Sequence, residues 1–521
     1  MKRYSLLALL FPCFCLAAPP TAVVTLNPRI TYQRMTGWEA TAAFQISINP
    51  YFPRFKDKLF DKAVNDLGIN RVRLEIRPGA ENPRDAWSEL RDGKLPQQLW
   101  RCLRYNTVND DDDPFHINWA GFHFSELDNV VENIILPIKE RVEARGEKLF
   151  LNVEYVAFYD QLHEPTCPAG LQYIHTAPEE YAEFVLAAYV HLKQKYGLIP
   201  DAWEVFLEPD NTPDFQGKLL GEVMAASAKR LKDNGFKPAF IAPSPTDMKN
   251  AVPFFDDMIK VPGVLGNLVE FSYHRYRKPG TDAMLKEIAE RAARYHLNTA
   301  MLEHIGSGVD DLYKDLTIAG NSAWQQYELA GIGTQPNSAI DAWTDSAVAA
   351  PIQQAFKSGD PKALDAALAS VRTAVRAKIS TSNDNGANYF NIETRDPQNP
   401  QVVMNSRTKF LRQYFKYIRS GAVRIEANSS ATGLDPVAFI NTDGRYVVVL
   451  KAAEGGQFSI KGLPAGTYGI KYSTTTRYDF DLPDVSLPAD GPLTTALPSA
   501  GVLTVYAKTP GHASADLPIH Q

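Results

Sequence analysis

Two short apolar segments of this chain each end in a glutamate. Residues 203–211 read WEVFLEPDN, so an apolar run reaches Glu208 before Pro209 interrupts it, and residues 299–306, TAMLEHIG, repeat the arrangement at Glu303. Short apolar runs that are stopped by proline or glycine are typical of buried strands. In a parallel barrel, the groups that do chemistry sit at the carboxyl ends of such strands. The pattern therefore predicts two barrel strands that deliver two glutamates to one pocket.

Two glutamates placed in this way are what retaining hydrolysis of a glycosidic bond requires. One carboxyl protonates the leaving oxygen and the other attacks the anomeric carbon, with the two groups roughly 5 Å apart. The simpler alternative is that each glutamate forms an ion pair with a nearby arginine.

Strand patterns alternate with amphipathic helices from residue 36 to residue 419. Such alternation indicates a parallel sheet, and eight units close a barrel. The sequence also predicts a helix over 312–329, an insertion at about 331–385 and a closing helix over 406–419. The predicted barrel strands are 35–42, 69–76, 148–155, 201–208, 239–243, 268–276, 299–303 and 387–392.

A second domain is expected because 521 residues exceed what one hydrophobic core usually supports. From Gly421 onward, short alternating strands are separated by turn sequences such as NTDG and ADGP, which are typical of a β-sandwich. The predicted fold is therefore α/β: a (β/α)₈ TIM barrel over 36–419 with an accessory C-terminal all-β sandwich. The sandwich is expected to combine 420–508 with 21–35, and residues 509–521 are expected to form a flexible tail.

The N-terminal segment has the features of a secretory signal peptide over residues 1–17. Lys2 and Arg3 precede an apolar run over 6–16, and small residues follow it. This segment predicts a secreted or periplasmic protein, and it is too short to be a stable transmembrane segment. Loss of two positive charges moves the formal charge from −6 to −8, so no nucleic acid partner is expected. The sequence leaves the oligomeric state unknown.

Cys102 and Cys167 are the two cysteines that remain after this cleavage. In an oxidising compartment such a pair forms a disulfide or stays as two buried thiols, and the sequence leaves both alternatives open.

Polar and aromatic residues near the predicted strand ends are candidates for substrate binding. A nucleophilic carboxylate must stay ionised, so Arg73 and Tyr276 are expected to contact Glu303. Alternatively, Arg73 pairs with another carboxylate and Tyr276 fills the barrel mouth. The candidates are Trp38, Glu39, Arg73, Asn152, Asn211, His274 and Tyr276.

His274 and the acidic run Asp110–Asp113 are the residues that invite a metal interpretation. The sequence shows none of the compact ligand spacings of a zinc site, so no metal is predicted, and His274 is expected to contact substrate hydroxyls or to fill a structural role. The acidic run is interpreted as a solvated loop, with a calcium site as the lesser alternative. No phosphate loop, nucleophile elbow or dinucleotide fingerprint is found in the sequence, which argues against nucleotide chemistry and serine hydrolysis.

Three sequence features resemble clan A glycoside hydrolases, and most closely the family 30-like proteins. They are Glu208-Pro209 with Glu303, the segment TGWEA at 36–40, and the segment FKYIRSGAVRI at 415–425. The resemblance runs from about residue 22 to residue 508. It implies a (β/α)₈ barrel with a side β-sandwich, retention of anomeric configuration, a carbohydrate substrate and no cofactor. It also implies that Glu208 is the acid and base and that Glu303 is the nucleophile.

Leu207 departs from the pattern of the clan, which has asparagine before the acid and base. That asparagine binds the 2-hydroxyl of the sugar, and such hydrogen bonds strengthen in the transition state. Either Asn152 or Asn211 replaces it, or the substrate differs at this position. A retaining glycoside hydrolase is the leading hypothesis. A non-catalytic carbohydrate-binding protein and a transglycosylase are the alternatives.

Overall fold

The computed structural model describes the chain from residue 22 to residue 510 with one long gap and a few single positions left out. The predicted signal peptide, most of the predicted insertion and the tail beyond residue 510 lie outside the described residues. The described ranges are 22–332, 362–363 and 386–510, without residues 43, 174, 278, 279, 395, 397 and 490.

Eight parallel strands, β2 to β9, form a closed barrel. Each strand pairs with its neighbour in chain order, and β9 closes the ring by pairing with both β8 and β2. The strands of the first part of the chain are β1 (Ala22–Arg34), β2 (Gly37–Thr41), β3 (Arg71–Ile76), β4 (Phe150–Tyr155), β5 (Ala202–Glu204), β6 (Phe240–Pro243), β7 (Leu268–His274), β8 (Asn298–Glu303) and β9 (Asn321–Ile332).

Helices follow the barrel strands along the chain. They are α1 (Phe44–Ser47), α2 (Phe52–Asp61), α3 (Ala86–Arg91), α4 (Gln97–Leu103), α5 (Ser125–Val130), α6 (Leu136–Ala144), α7 (Tyr159–Leu162), α8 (Pro178–Tyr196), α9 (Gly217–Asp233), α10 (Ala251–Met258), α11 (Asp282–Tyr295), α12 (Val309–Lys314) and α13 (Ser406–Phe415). Single π-helical turns continue α2, α5 and α12 over Lys62–Leu67, Val131–Ile135 and Asp315–Ala319. Among the described residues, no helix has both the length and the apolar character needed to cross a membrane.

The last barrel strand differs from the prediction of a helix over 312–329. The helical segment ends at Gly320, which adopts a left-handed conformation, and β9 begins at the next residue. Gln325 and Gln326 are fully buried; their side-chain amides donate to Thr41 Oγ1 at 2.9 Å and to the Ser307 carbonyl at 2.8 Å. The amide nitrogens of both glutamines are thus paired inside the protein, whereas neither side-chain oxygen has a hydrogen-bond partner among the described residues.

The segment 387–392, predicted as the eighth barrel strand, does not belong to the closed ring. It forms β10 (Asn388–Glu393), which pairs in parallel with the second half of β9 and extends the sheet beyond the closed ring. Strand β11 (Gln401–Met404) pairs with β10 in the antiparallel direction.

The second domain is a nine-stranded β structure assembled from both ends of the described chain. Strand β1 pairs in the antiparallel direction with β12 and in parallel with β15. The remaining strands are β12 (Val423–Ser429), β13 (Leu434–Ile440), β14 (Tyr446–Ala452), β15 (Gly456–Lys461), β16 (Gly466–Thr474), β17 (Phe480–Leu487), β18 (Leu493–Leu497) and β19 (Gly501–Ala507). A closed parallel barrel with a separate C-terminal β domain confirms the predicted fold class.

Helix α13 joins the two domains. On the barrel side, Phe415 stacks on Trp38 with ring centroids 4.3 Å apart, and the Trp38 indole donates to the Ile418 carbonyl at 2.6 Å. On the other side, Gln413 donates to Ser473 Oγ at 2.9 Å and accepts from Thr504. Both sets of contacts are buried, so α13 fixes the β domain against the barrel.

Candidate active site

A buried network of charged side chains fills the amino-terminal part of the barrel. Arg71 donates to the two carboxylate oxygens of Glu270 at 2.7 and 2.6 Å, and its Nε donates to Glu39. A charge buried without such partners would destabilise the fold by several kcal/mol, on the order of 3–5. Glu39 is therefore engaged in a structural ion pair with none of its surface exposed, which contradicts the prediction that it binds substrate.

Asn152 and Trp38 also lie away from the barrel mouth, and the predictions for both are contradicted. Asn152 is fully buried, and its Nδ2 donates to Glu204 Oε2 at 2.8 Å and to Glu39 Oε1 at 3.2 Å. Trp38 faces outward from the barrel and is covered by α13. Neither side chain is available to a sugar in the cleft.

Glu303 ends β8 at the carboxyl end of the barrel, where two donors hold it. Nη2 of Arg73 donates to Glu303 Oε2, and the Tyr276 hydroxyl donates to Oε1 at 3.0 Å. Arg73 comes from β3, Glu303 from β8 and Tyr276 from the segment after β7, so three separate parts of the chain form this contact. The two donors expected beside Glu303 are brought to it by the fold.

Glu208 lies beyond the end of β5, in a left-handed backbone conformation with φ 52°. Its amide donates to the Ser244 carbonyl at 3.1 Å, which fixes the turn against the segment that follows β6. Asn211 Nδ2 donates to Glu208 Oε2 at 2.9 Å, and His274 Nδ1 lies 3.1 Å from Oε1. A non-glycine residue in this conformation costs about 1–3 kcal/mol, and such strain is often found at functional sites.

Asp210 anchors the turn that carries Glu208. Its carboxylate accepts hydrogen bonds from the backbone amides of Thr246 and Asp247 at 2.7 and 3.1 Å, and from Asn250 Nδ2 at 2.8 Å. The loops after β5 and β6 are thereby joined next to the candidate acid.

Glu208 and Glu303 face each other across a narrow gap, with His274 between them. One ligand atom from each of the three side chains lies within 4.8 Å of the others. Only 9 % of Glu208 and 7 % of Glu303 are exposed, which leaves a restricted opening towards the cleft. Carboxyl groups about 5 Å apart are typical of retaining glycosidases, and the close approach of Glu208 and Glu303 is compatible with that arrangement.

The surroundings of the two carboxyls shift their pKa values. Burial and the negative charge of Asp210 raise the pKa of Glu208 to about 7, against opposing contributions from Thr246 and Arg73. A proton is therefore retained near neutral pH, as a general acid requires. Burial also raises the pKa of Glu303, and the charge of Arg73 opposes that rise. Burial and the Glu303 charge raise the pKa of Tyr276 far above its ordinary value, so its hydroxyl remains a donor.

His274 is neutral in this setting. Its side chain is fully buried, and burial lowers its pKa. Its Nε2 has no hydrogen-bond partner among the described residues. A neutral imidazole can orient the Glu208 carboxyl through Nδ1 without adding a positive charge to the site.

Glu208, His274 and Glu303 could also hold a metal ion. Among the described residues they form the one cluster of His, Cys, Asp and Glu side chains with the spacing of a metal site. The neighbouring groups fit a metal poorly. The guanidinium of Arg73 already donates to Glu303 and would repel a cation, and the raised pKa of Glu208 favours its protonated form. The site therefore has the chemistry of a carboxyl pair rather than that of a metal site.

Leu207 points into an apolar cluster beside the site, where it is 5 % exposed and lies with Tyr105, Val156 and Leu162. Of the two asparagines considered as replacements for the clan residue, Asn152 is enclosed in the barrel and Asn211 lies at Glu208. The oxygen of Asn211 accepts a hydrogen bond from Arg277, and its Nδ2 also donates to Thr246 Oγ1 at 2.8 Å.

Four residues of the site were missed by the sequence analysis. Thr246, Arg277 and Asp210 each follow a strand end, which is a signal that could have identified them. Glu154 lies within β4, and its contact with Arg73 could not be read from spacing. Of the predicted substrate-binding residues, the structure gathers Arg73, Asn211, His274 and Tyr276 around the two glutamates.

Comparisons with known proteins agree with this architecture. The family model described as the glycosyl hydrolase family 30 beta sandwich domain matches residues 421–460. Comparison with curated proteins gave no significant match.

Several solved structures share the fold over nearly the whole chain. The catalytic domain of GH30 xylanase C from Talaromyces cellulolyticus is 14 % identical with a TM-score of 0.61, and the alignment covers 94 % of this chain and 100 % of that one. A GH30 endoxylanase from Clostridium papyrosolvens is 15 % identical, with a TM-score of 0.58 and coverage of 94 % and 100 %. An endo-beta1,6-glucanase is 15 % identical, with a TM-score of 0.57 and coverage of 94 % and 95 %.

The fold and the match in the β domain confirm the resemblance to family 30 glycoside hydrolases. The chain has the architecture of that class, a (β/α)₈ barrel with a side β-sandwich. At these sequence identities the similarity to solved structures concerns the fold, so the argument for function depends on the residues of the site.

Proposed function

We propose that this protein is a retaining O-glycoside hydrolase that acts on a polysaccharide or glycoconjugate. The observation that supports the proposal is the position of Glu208 and Glu303, with carboxylate oxygens within 4.8 Å of each other at the carboxyl end of the barrel. The rise of the Glu208 pKa to about 7 and the two donors at Glu303 support different roles for the two glutamates.

In the first step, a Glu303 oxygen attacks the anomeric carbon while the bond to the leaving oxygen breaks. Glu208 transfers its proton to that oxygen, and a covalent glycosyl ester of Glu303 forms. Before the attack, Arg73 and Tyr276 hold the Glu303 carboxylate in place. They stabilise the negative charge of Glu303, and this charge is lost when the ester forms. Their hydrogen bonds also orient the attacking oxygen.

In the second step, ionised Glu208 accepts a proton from water as the water attacks the same anomeric carbon. The bond to Glu303 breaks, which regenerates its carboxylate and releases the sugar with its original configuration. If another sugar accepts the intermediate in place of water, the same residues perform transglycosylation.

The substrate and the compartment are also part of the proposal. The similar structures include xylanases and an endo-beta1,6-glucanase, so xylan and β-1,6-glucan are the first polymers to test. Leu207 stands where the clan has a sugar-binding asparagine, and for this reason we propose no particular sugar. The N-terminal signal sequence supports secretion or export to the periplasm.

The decisive experiment combines a reducing-sugar assay on a broad glycan panel with NMR analysis of the first product anomer. Retained configuration is expected, and Glu303→Gln is expected to lower turnover at least about a thousandfold while the protein stays folded. Glu183→Gln is the matched control because Glu183 is a buried glutamate on α8, outside the barrel. An inverted product, or substantial activity of Glu303→Gln, would refute the mechanism.

A carbohydrate-binding protein without hydrolytic activity is the second candidate, and Leu207 is the observation that favours it. The apolar side chain removes a hydrogen bond that strengthens in the transition state. Calorimetric titration against the glycans of the panel separates the two functions. Tight binding without product formation by the wild-type protein would support binding alone.

A further inference from the structure

We propose that Glu154 is a positioning residue that acts as a neutral carboxylic acid and keeps Arg73 directed at Glu303. This inference rests on the proposed function, because it concerns the nucleophile of that reaction. Glu154 itself does not contact the cleft, since its side chain is completely buried within β4.

Arg73 lies between the two carboxyl groups. Its Nη2 donates to Glu303 Oε2, and its Nη1 donates to the Leu302 carbonyl at 3.3 Å. On its other edge, Nε lies 3.1 Å from Glu154 Oε2. Neither oxygen of Glu154 has a hydrogen-bond partner among the described residues. Glu154 thus packs against the guanidinium without the geometry of a formed hydrogen bond.

The charges around Glu154 disfavour its ionised form. It faces Arg73 and Glu75 on β3, Glu204 on β5 and Glu303 on β8. Glu75 has its own partner in Arg77, so Arg73 remains the cation that the other three carboxyls share. Burial, followed by the charges of Glu204, Glu75 and Glu303, raises the pKa of Glu154 well above its ordinary value, although Arg73 opposes the rise.

A neutral acid at this position has a specific consequence for the nucleophile. It fixes the far edge of the Arg73 guanidinium by contact, but it does not neutralise the positive charge. That charge is then available to the Glu303 carboxylate. An ionised Glu154 would compete for the same guanidinium and would weaken its electrostatic support of Glu303.

Infrared difference spectroscopy of the wild-type protein against Glu154→Gln at pH 7 tests the protonation state directly. The expected result is the loss of a carbonyl band of a protonated carboxylic acid. Loss of a carboxylate band in its place would overturn the proposal. This measurement requires no substrate, so it remains decisive even if the proposed glycosidase activity is never found.

The pH dependence of stability gives a second test. A native-state pKa above the ordinary value of 4.5 means that the folded protein keeps a proton that the unfolded chain releases, so stability falls as pH rises above 4.5. Glu154→Gln removes this loss. The Tm of the variant minus that of the wild type is therefore expected to increase from pH 5 to pH 8. A difference that stays constant or decreases would overturn the proposal.

Kinetics tests the positioning role. Glu154→Leu removes the polar contact and is expected to lower kcat/KM at least about tenfold, whereas Glu154→Gln restores most of it. Glu183→Gln is the control for replacing a buried glutamate and should leave kcat/KM unchanged. The positioning role would be overturned if a folded Glu154→Leu variant kept the kcat/KM of the wild type. It would also be overturned if the kcat/KM of Glu154→Gln did not exceed that of Glu154→Leu. Absence of activity in the wild type would refute the proposed function instead.

Discussion

The side-chain amide of Asn211 donates to Glu208 Oε2 at 2.9 Å and to Thr246 Oγ1 at 2.8 Å, while its oxygen accepts from Arg277. Asn211 follows Glu208 by three residues, on the single turn of 3₁₀ helix over Pro209–Asn211. The asparagine that contacts the candidate acid, Asn211, thus follows Glu208 in the chain, whereas the residue before Glu208 is the apolar Leu207.

We expect Asn211→Ala to lower kcat/KM about tenfold or more, because a hydrogen bond to a charged group contributes roughly 1.5–3 kcal/mol. The lost donor stabilises the ionised form of Glu208, so the pKa of Glu208 should rise and the alkaline limb of the pH profile should move to higher pH. Asn133→Ala is the control, since Asn133 bonds to Asn129 outside the site. Unchanged kinetics and an unchanged pH profile would contradict this role.

The activity of the wild-type protein is expected to decline as pH rises through about 7, the pKa of Glu208. Only the protonated form can donate to the leaving oxygen, so kcat/KM should fall about tenfold for each further pH unit. Measurements of kcat/KM from pH 5 to pH 9 check this limb. Constant activity up to pH 9 would show that Glu208 is not the acid.

Glu208→Gln should stabilise the protein at pH 8 although it removes activity. The folded protein binds a proton at Glu208 more tightly than the unfolded chain, whose pKa is near 4.5. Stability is therefore lost as pH rises from 4.5 to 7, by up to about 3 kcal/mol. The Tm of the variant should exceed that of the wild type at pH 8 and approach it at pH 5. The opposite order would mean that the carboxylate is stabilised by the fold.

Trp38→Ala should lower stability without raising KM. The side chain is fully buried against Phe415 and donates to the Ile418 carbonyl, so its removal is expected to cost about 3–5 kcal/mol of unfolding free energy. Urea unfolding measures the loss, and kinetics at a temperature where the variant is folded gives KM. A large rise in KM would restore the interpretation of Trp38 as a substrate-binding residue.

The disulfide between Cys102 and Cys167 should contribute substantially to stability. It joins α4 to the loop after α7 and spans 65 residues, for which the chain-entropy model gives about 4 kcal/mol. The double variant Cys102→Ser/Cys167→Ser should show a lower urea midpoint than the wild type under oxidising conditions. The two proteins should become similar when the wild type is reduced. Equal midpoints in both conditions would contradict this contribution.

Local sequence was sufficient for the features that depend on short segments. Apolar runs stopped by Pro209 or followed by Gly306 indicated strands that end in Glu208 and Glu303, and the β/α alternation indicated the barrel, because hydrophobic period and turn chemistry are local properties. Strand β8 does end at Glu303, but β5 ends at Glu204, so Glu208 belongs to the segment that follows the strand. The same local rules failed for β9. Residues 321–329 were predicted as part of a helix, but pairing with β2, β8 and β10 makes them a strand, and those partners lie far away in the sequence.

The tertiary structure decided which polar residues reach the cleft. Glu39, Asn152 and Arg73 all lie on barrel strands, yet only Arg73 contacts a catalytic candidate. Arg73 and Asn152 are register partners, so depth in the barrel does not separate them. The longer Arg73 side chain reaches Glu303, whereas the Asn152 amide is held by Glu204 and Glu39. The choice between a disulfide and two thiols was also tertiary, since it depends on a Cα separation of 5.7 Å between residues far apart in the chain. The sequence by itself determined the two glutamates, and only folding determined their distance and their neighbours.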